Sequence, residues 1–364
     1  MYCIASNYSI DAVRSFLVVP VNVNMLESID VANSTGDTDG DGRFTIHDFY
    51  SLVWDYGWTY DALAQLSAAV YRDNNTAIEG ADIMDTLGFC AGRSSGLTGS
   101  GILYSSSVKL INKVQNSMGE WTYDYPNTND DLVAFAKALN DLFTNSVGVC
   151  TLSSDEAKNA GIGGVGGDLD GIRNRFATNM ILFGGVTMVA AFEDAVYQNM
   201  NEPGKKGFGF VPVPLYKQDE AKTEKYQTVI QNLARIVAIS ASTTEFEQCS
   251  AFLDYQSANS SAIFEKYCSE NLVAAIESGE AGKRNVAMLT YIRNHARDCF
   301  DKTYEDIIYD YQSHKDHQAY TKRWHAIFYT NAYKVTNMAQ RYGEEYPGKY
   351  EQLITVLAEW NKLS

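Results

Sequence analysis

Residues 36–63 read GDTDGDGRFTIHDFYSLVWDYGWTYDAL, and their first half carries the most specific chemistry in the chain. With Asp37 as position 1, Asp39 falls at 3, Asp41 at 5, Gly42 at 6, Arg43 at 7, Thr45 at 9 and Asp48 at 12. Alternate carboxylates, a glycine for the sharp turn and a twelfth-position acid wrap oxygen ligands around a hard cation. Arg43 needs to offer only its backbone carbonyl, and Thr45 reaches the ion directly or through water. Phe44 supplies an apolar anchor for the loop. The spacing predicts one Ca2+ ion, held by Asp37, Asp39, Asp41, Arg43, Thr45 and Asp48. A single such loop is a structural staple, since calcium sensors work with paired loops between amphipathic helices.

No other constellation in the chain singles out a reaction. The run GIGGVG at 161–166 fits a dinucleotide fingerprint, but that chemistry needs a preceding strand, and the polar LSSDEAKNA stands there instead. His314, His317 and His325 lie in a charge-rich stretch that reads as a solvated helix face. Adjacent carboxylates such as Glu193 and Asp194 are common among 45 acidic residues. Zincin and phosphate-loop motifs are absent from the sequence. The expectation is that the protein is not an enzyme.

Composition narrows the class further. The 364 residues suffice for two or three domains with real cores. A net charge of −16 argues against nucleic-acid partners and anionic membrane surfaces. The 24 tyrosines suit surfaces that recognise sugars or peptides, because the ring pairs an apolar face with a polar tip. The six cysteines show no paired spacing, so neither a zinc ribbon nor a disulfide framework is expected. The first residues, MYCIASNYSIDAVRSF, lack the basic, apolar and cleavage regions of an export signal.

The elements that position these residues alternate between strand and helix. SFLVVPVNVNML (15–26) reads as a buried strand entering an Asn-containing turn, and TYDALAQLSAAVYRD (59–73) as an amphipathic helix. DDLVAFAKALNDLF (130–143) is a second helix, with aspartates in its first turn. NMILFGGVTMVAAFEDAV (179–196) reads as a short strand, a Gly-Gly break and a helix, and FGFVPVPLY (208–216) is extended. ARIVAIS (234–240) is another strand, and helices dominate from residue 244 onward. This alternation predicts α/β layering.

Four phrases, in order, carry a resemblance. They are YCIASNYSIDAVRSFLVVPVN; WTYDALAQLSAAVYRD with DTLGF; FATNMILFGGVTM with FGFVPVPLYKQDE and YQTV; and SAFLDYQSANSSAIFEKYCSENL with RNVAMLTYIRNHARDCF. Their order and spacing resemble the extracellular solute-binding proteins of family 1, receptors of carbohydrate-type ABC importers, and the clostridial members in particular. The family's glycine and lysine after Phe176 are replaced here by Thr178 and Asn179. The acidic loop, with Asp in place of Glu at position 12, is similar to the calcium loops of dockerin modules. A calcium-dependent dockerin-like adhesion or scaffolding protein is therefore the alternative. DNNTAIEGADIMD (73–85), the partial candidate for the second loop that alternative needs, lacks the glycine after its third ligand.

The resemblance implies a two-lobed, periplasmic-binding-protein-like (type II) α/β fold that closes on a solute by hinge motion. Residues 1–11 would enter the hinge, 12–225 form the second lobe, 226–304 a mostly helical remnant of the first lobe, and 305–364 return to the second. The N-terminal lobe would be incomplete by roughly a hundred residues. The chain as it stands would then bind sugars weakly, and a chain with that portion restored at micromolar level or tighter. Implied ligand-binding residues are Tyr8, Thr98, Ser100, Tyr104, Thr187, Phe192 and Asn294. Implied partners are a small solute, most simply a sugar, and the membrane subunits of an ABC importer. The implied location is extracellular, membrane-anchored in the full-length form.

Overall fold

The structure is a computed structural model that describes residues 2–4, 10–74, 81–93, 96–106, 108–162, 167–201, 207–217, 226–231, 237–240, 242–267, 272, 280–297, 302 and 338–360. Among the described residues the strands in chain order are β1 (Tyr2–Ile4), β2 (Leu17–Asn22), β3 (Leu87–Gly92), β4 (Asn112–Gln115), β5 (Trp121–Asp124), β6 (Val149–Leu152), β7 (Ile181–Phe183), β8 (Thr187–Met188), β9 (Phe208–Val211), β10 (Thr228–Val229), β11 (Val237–Ile239) and β12 (Ala296–Arg297). The expected α/β class is what these residues form.

Six strands make the main sheet. β3 pairs in parallel with β6 and β7, while β2 pairs antiparallel with β7, β8 and β9. All six residues of β2 and of β3 are buried, as strands covered on both faces must be, so neither sequence alternates. Pro20 sits inside β2 without a backbone donor, where a central strand ordinarily needs one. The sequence accommodates it with the Gly184–Gly185 break. β7 pairs at Val21 and β8 at Leu17 and Val18, and the interruption between them lies opposite Pro20. A side chain on Gly184 would meet the Pro20 ring at 3.0 Å, and Gly185 takes φ +72°.

Local signals place the covering helices. Thr59 caps the Tyr60–Val70 helix through Ala62 N, and Trp58 before it is fully buried, its indole donating to the Pro212 carbonyl at 2.9 Å. That helix reaches β3 so closely that a Cβ on Gly88 would lie 1.9 Å from Ser67 Cα. Asn129 caps Asp130–Asn145 through Leu132 N at 2.9 Å, and Leu132, Phe135, Ala136, Leu139 and Leu142 form its buried stripe. The run after β2 does not turn at once. Asn22 accepts from Met25 N and starts one helical turn, Val23–Leu26.

Outside the main sheet, β1 pairs antiparallel with β11, and β10 pairs in parallel with β12. Glu280–Asn294 falls within the segment expected to stand apart as residues 226–304, yet it packs on β9 and on the Ile46–Trp54 helix. Its Met288, Leu289 and Ile292 are buried in the apolar cluster that includes the sheet, and Asn285 accepts from the Tyr50 hydroxyl. The Met338–Trp360 helix lies against Asp130–Asn145, with Tyr342 donating to the Pro126 carbonyl at 2.6 Å. Phe246–Ala258 buries only Leu253 among its described side chains and leaves Phe252 and Tyr255 in solvent.

Candidate metal centre and ligand positions

The acidic loop is folded into a set of tight turns by its own carboxylates. Asp37 accepts from Gly42 N at 2.8 Å and Gly40 N at 2.7 Å, Asp39 from Asp41 N at 3.2 Å, and Asp41 from Arg43 N at 2.8 Å. Gly40 and Gly42 take φ of +74° and +80°, the left-handed conformation that makes glycine the natural residue there. Phe44 is 1% exposed and anchors the loop to the core. Oxygen atoms of Asp37, Asp39 and Asp48 converge within 4.8 Å of one another. Asp41 is not in that group.

Asp48 ties the loop to the helix that follows. Thr45 caps Ile46–Trp54 in a reciprocal capping box with Asp48. One Asp48 oxygen accepts from Thr38 N and Oγ1, at 2.8 and 2.6 Å, and the other from Thr45 N and Oγ1, at 2.8 and 2.7 Å. Burial acts to raise this carboxyl's pKa, but the four bonds outweigh it and hold the group at about 2. If the two hydroxyls turn away, each oxygen keeps its amide bond and frees a lone pair. The donor set then fits a hard cation: all-oxygen, anionic, and not ion-paired among the described residues.

The candidate ligand residues divide by element. Tyr8 lies outside the described residues. Thr98, Ser100 and Tyr104 are buried on the Gly96–Tyr104 helix, where a Cβ on Gly101 would lie 2.5 Å from Val186. Thr187, next in the chain, pairs with Val18 and is half-buried. The same helix packs on β10, whose partner β12 begins two residues after Asn294. Thr98, Ser100, Tyr104 and Thr187 therefore sit on neighbouring elements, and Asn294 ends the Glu280–Asn294 helix just before β12. Phe192 does not join them. It is 0% exposed, with ring centroids of Tyr197, Phe208 and Phe210 at 5.0, 5.0 and 5.5 Å.

Sequence reading passed over one polar cluster. Glu193 accepts Arg14 Nε at 2.8 Å and Nη2 at 3.0 Å, and the Tyr267 hydroxyl at 2.6 Å. Its neighbour Asp194 turns elsewhere, accepting from Arg173 and capping Ala195–Gln198. Two adjacent acids that bind different partners are not an acid–base pair. The Arg14–Glu193 separation of 179 residues explains why no local motif marks the cluster.

Burial opposes ionisation of Glu193, yet bonds from Arg14 and Tyr267 hold its carboxyl below the usual range. Asp11, on Arg14's own helix, is the other acid bonded to that guanidinium. A depressed carboxyl stabilises the fold above its unfolded pKa, and that contribution is lost as pH falls through the folded value. Glu193→Gln should therefore cost about 1 kcal/mol at neutral pH, allowing for partial exposure, and lose less stability than wild type below pH ~4.5. Denaturation midpoints across the acid range are the measurement. Parallel acid limbs for the two proteins would contradict the assignment.

No family model matches the chain, and no curated protein does. Among solved structures the chain is similar to the maltose/maltodextrin-binding domain MalE from Bdellovibrio bacteriovorus bound to maltotriose, at 12% identity and a TM-score of 0.46, covering 97% of this chain and 73% of that one. At that distance no residue role carries over from that protein to this chain.

Proposed function

We propose that the protein is the substrate-binding receptor of an ABC importer, capturing a carbohydrate or similar small solute between two lobes, with one structural calcium ion in the loop 37–48. The observation that carries the reading is the chain's course. β1 and β11 pair with each other apart from the six-stranded sheet, and β10 pairs with β12; on this reading these short pairs are where the chain crosses between lobes. Crossings of this kind let two bodies close on a ligand by hinge motion. The four sequence phrases that resemble the family lie along the same course.

On this reading the receptor works outside the cell, tethered to the membrane, and delivers its solute to the importer's membrane subunits. The candidate polar residues around the Gly96–Tyr104 helix and Thr187 would answer the sugar hydroxyls, and aromatic faces would stack on the ring.

The test is calorimetric titration of the protein, expressed from its complete reading frame, with oligosaccharides, amino acids and short peptides. One oligosaccharide class should bind at micromolar level or tighter, about −8 kcal/mol. Thr187→Ala should weaken that binding about two- to tenfold, as expected for one hydrogen bond, and leave the unfolding midpoint unchanged. Tight binding of an amino acid or peptide, or no heat with any sugar, would overturn the reading.

A further inference from the structure

Cys90 and Cys150 meet in the middle of two neighbouring parallel strands. They are registered partners in β3 and β6, both buried, with Sγ atoms 3.3 Å apart. Registered partners on adjacent strands project to the same face, and strand spacing of about 4.7–4.9 Å lies inside the disulfide range of about 4.4–6.8 Å between Cα atoms. An open cavity of about 470 Å3 reaches this place, lined by Tyr71, Phe143, Gly148, Val149 and Cys150 among others, and Cys90 is not part of that lining. Of the two residues, Cys150 is the one that lines the cavity.

We propose that Cys90 and Cys150 are a redox modification site, closed to a cross-strand disulfide by a low-molecular-weight organic disulfide that enters through this cavity. The Cys150 thiolate attacks one sulfur of the small disulfide, whose S–S bond breaks. The departing thiolate takes up the proton Cys150 lost. Cys90 sulfur then attacks Cys150 Sγ and passes its proton to the second departing small thiolate. Two protein thiols are oxidised by two electrons and one small disulfide is reduced to two thiols. Burial pushes the Cys90 thiol well above its ordinary range, which fits its acting second. The bond would close the 60-residue excursion between β3 and β6.

The inference is independent of the solute-binding reading. Native protein is treated with bis(2-hydroxyethyl) disulfide, quenched with acid and N-ethylmaleimide, then unfolded, digested and mapped by mass. The expected product is the linked Cys90–Cys150 peptide pair, with a raised unfolding midpoint that returns on reduction. Cys90→Ser should stop at the mixed disulfide on Cys150, and Cys150→Ser should leave Cys90 unmodified. Should either variant fail to fold, the wild-type map still decides. Alkylation of both Cys90 and Cys150, or linkage of either to another cysteine, would overturn the proposal.

Discussion

Phe192→Ala should lower the stability of the ligand-free protein by roughly 3–5 kcal/mol, the range for truncating a buried aromatic ring. The site gives little room for relaxation. Tyr197 meets the Phe192 ring edge-on, Phe210 stacks on it, and Phe208 leans against it. Phe208 and Phe210 are themselves 0% exposed on β9, which pairs with the central strand β2. Removing the ring therefore leaves a cavity under the sheet and also withdraws aromatic pair contacts worth about 0.5–1.5 kcal/mol each. The resemblance to sugar receptors places Phe192 among solute-stacking residues, and the two roles predict different measurements. A packing ring costs stability without any sugar present, and Phe192→Leu recovers much of it. A stacking ring costs affinity and leaves denaturation of the free protein unchanged. Chemical denaturation of wild type and both variants without ligand separates them, and an unaltered Phe192→Ala curve would defeat the packing account.

What the sequence conveys and what it withholds follow from the range of each interaction. The helices at 60–70 and 130–145 are legible because cap, first-turn charge and apolar stripe lie within a few residues of each other. β2 is legible as a buried run, and the Gly-Gly break as an interruption, but their relation is not. Only the sheet register shows that the break relieves Pro20. The phrase 179–196 reads as strand, break and helix. The structure adds β8 and a 3-10 turn at Val189–Glu193 before a short Ala195–Gln198 helix, because Thr187 and Met188 find β2 as a partner. Glu193's pairing with Arg14 and Tyr267, and the facing thiols of Cys90 and Cys150, depend on strand order that no local spacing encodes. The acidic loop stands at the other extreme, since the spacing that recruits a cation also makes the turns.

That locality sets the terms of the calcium prediction. Calcium at 100 times its dissociation constant should stabilise the protein by about 2.7 kcal/mol, provided the unfolded chain does not bind it. The loop is already folded by bonds from Gly40, Gly42, Asp41 and Arg43 amides to its own carboxylates, so an ion would spend little binding energy on ordering the chain. What remains without an ion is repulsion among the converged carboxylates of Asp37, Asp39 and Asp48, which a divalent cation relieves. Variants must be chosen with the hydrogen bonds in mind. Asp48→Ala removes the reciprocal cap of Ile46–Trp54, and Asp37→Ala releases two turn amides, so both would destabilise the protein with or without calcium. Asp39 is exposed and accepts from the Asp41 amide. Asp39→Ala should leave the chelated protein close to wild type and abolish most of the calcium-dependent gain. Asp41→Ala should behave similarly if that carboxylate swings in to complete the shell, and should retain the gain if only the converged three bind. Magnesium should substitute poorly, because it demands near-ideal octahedral geometry and gives up its water reluctantly. The measurement is denaturation in millimolar calcium, in magnesium and in excess chelator. Equal midpoints in calcium and chelator for the wild-type protein would show that the aspartate spacing builds a turn and no metal site.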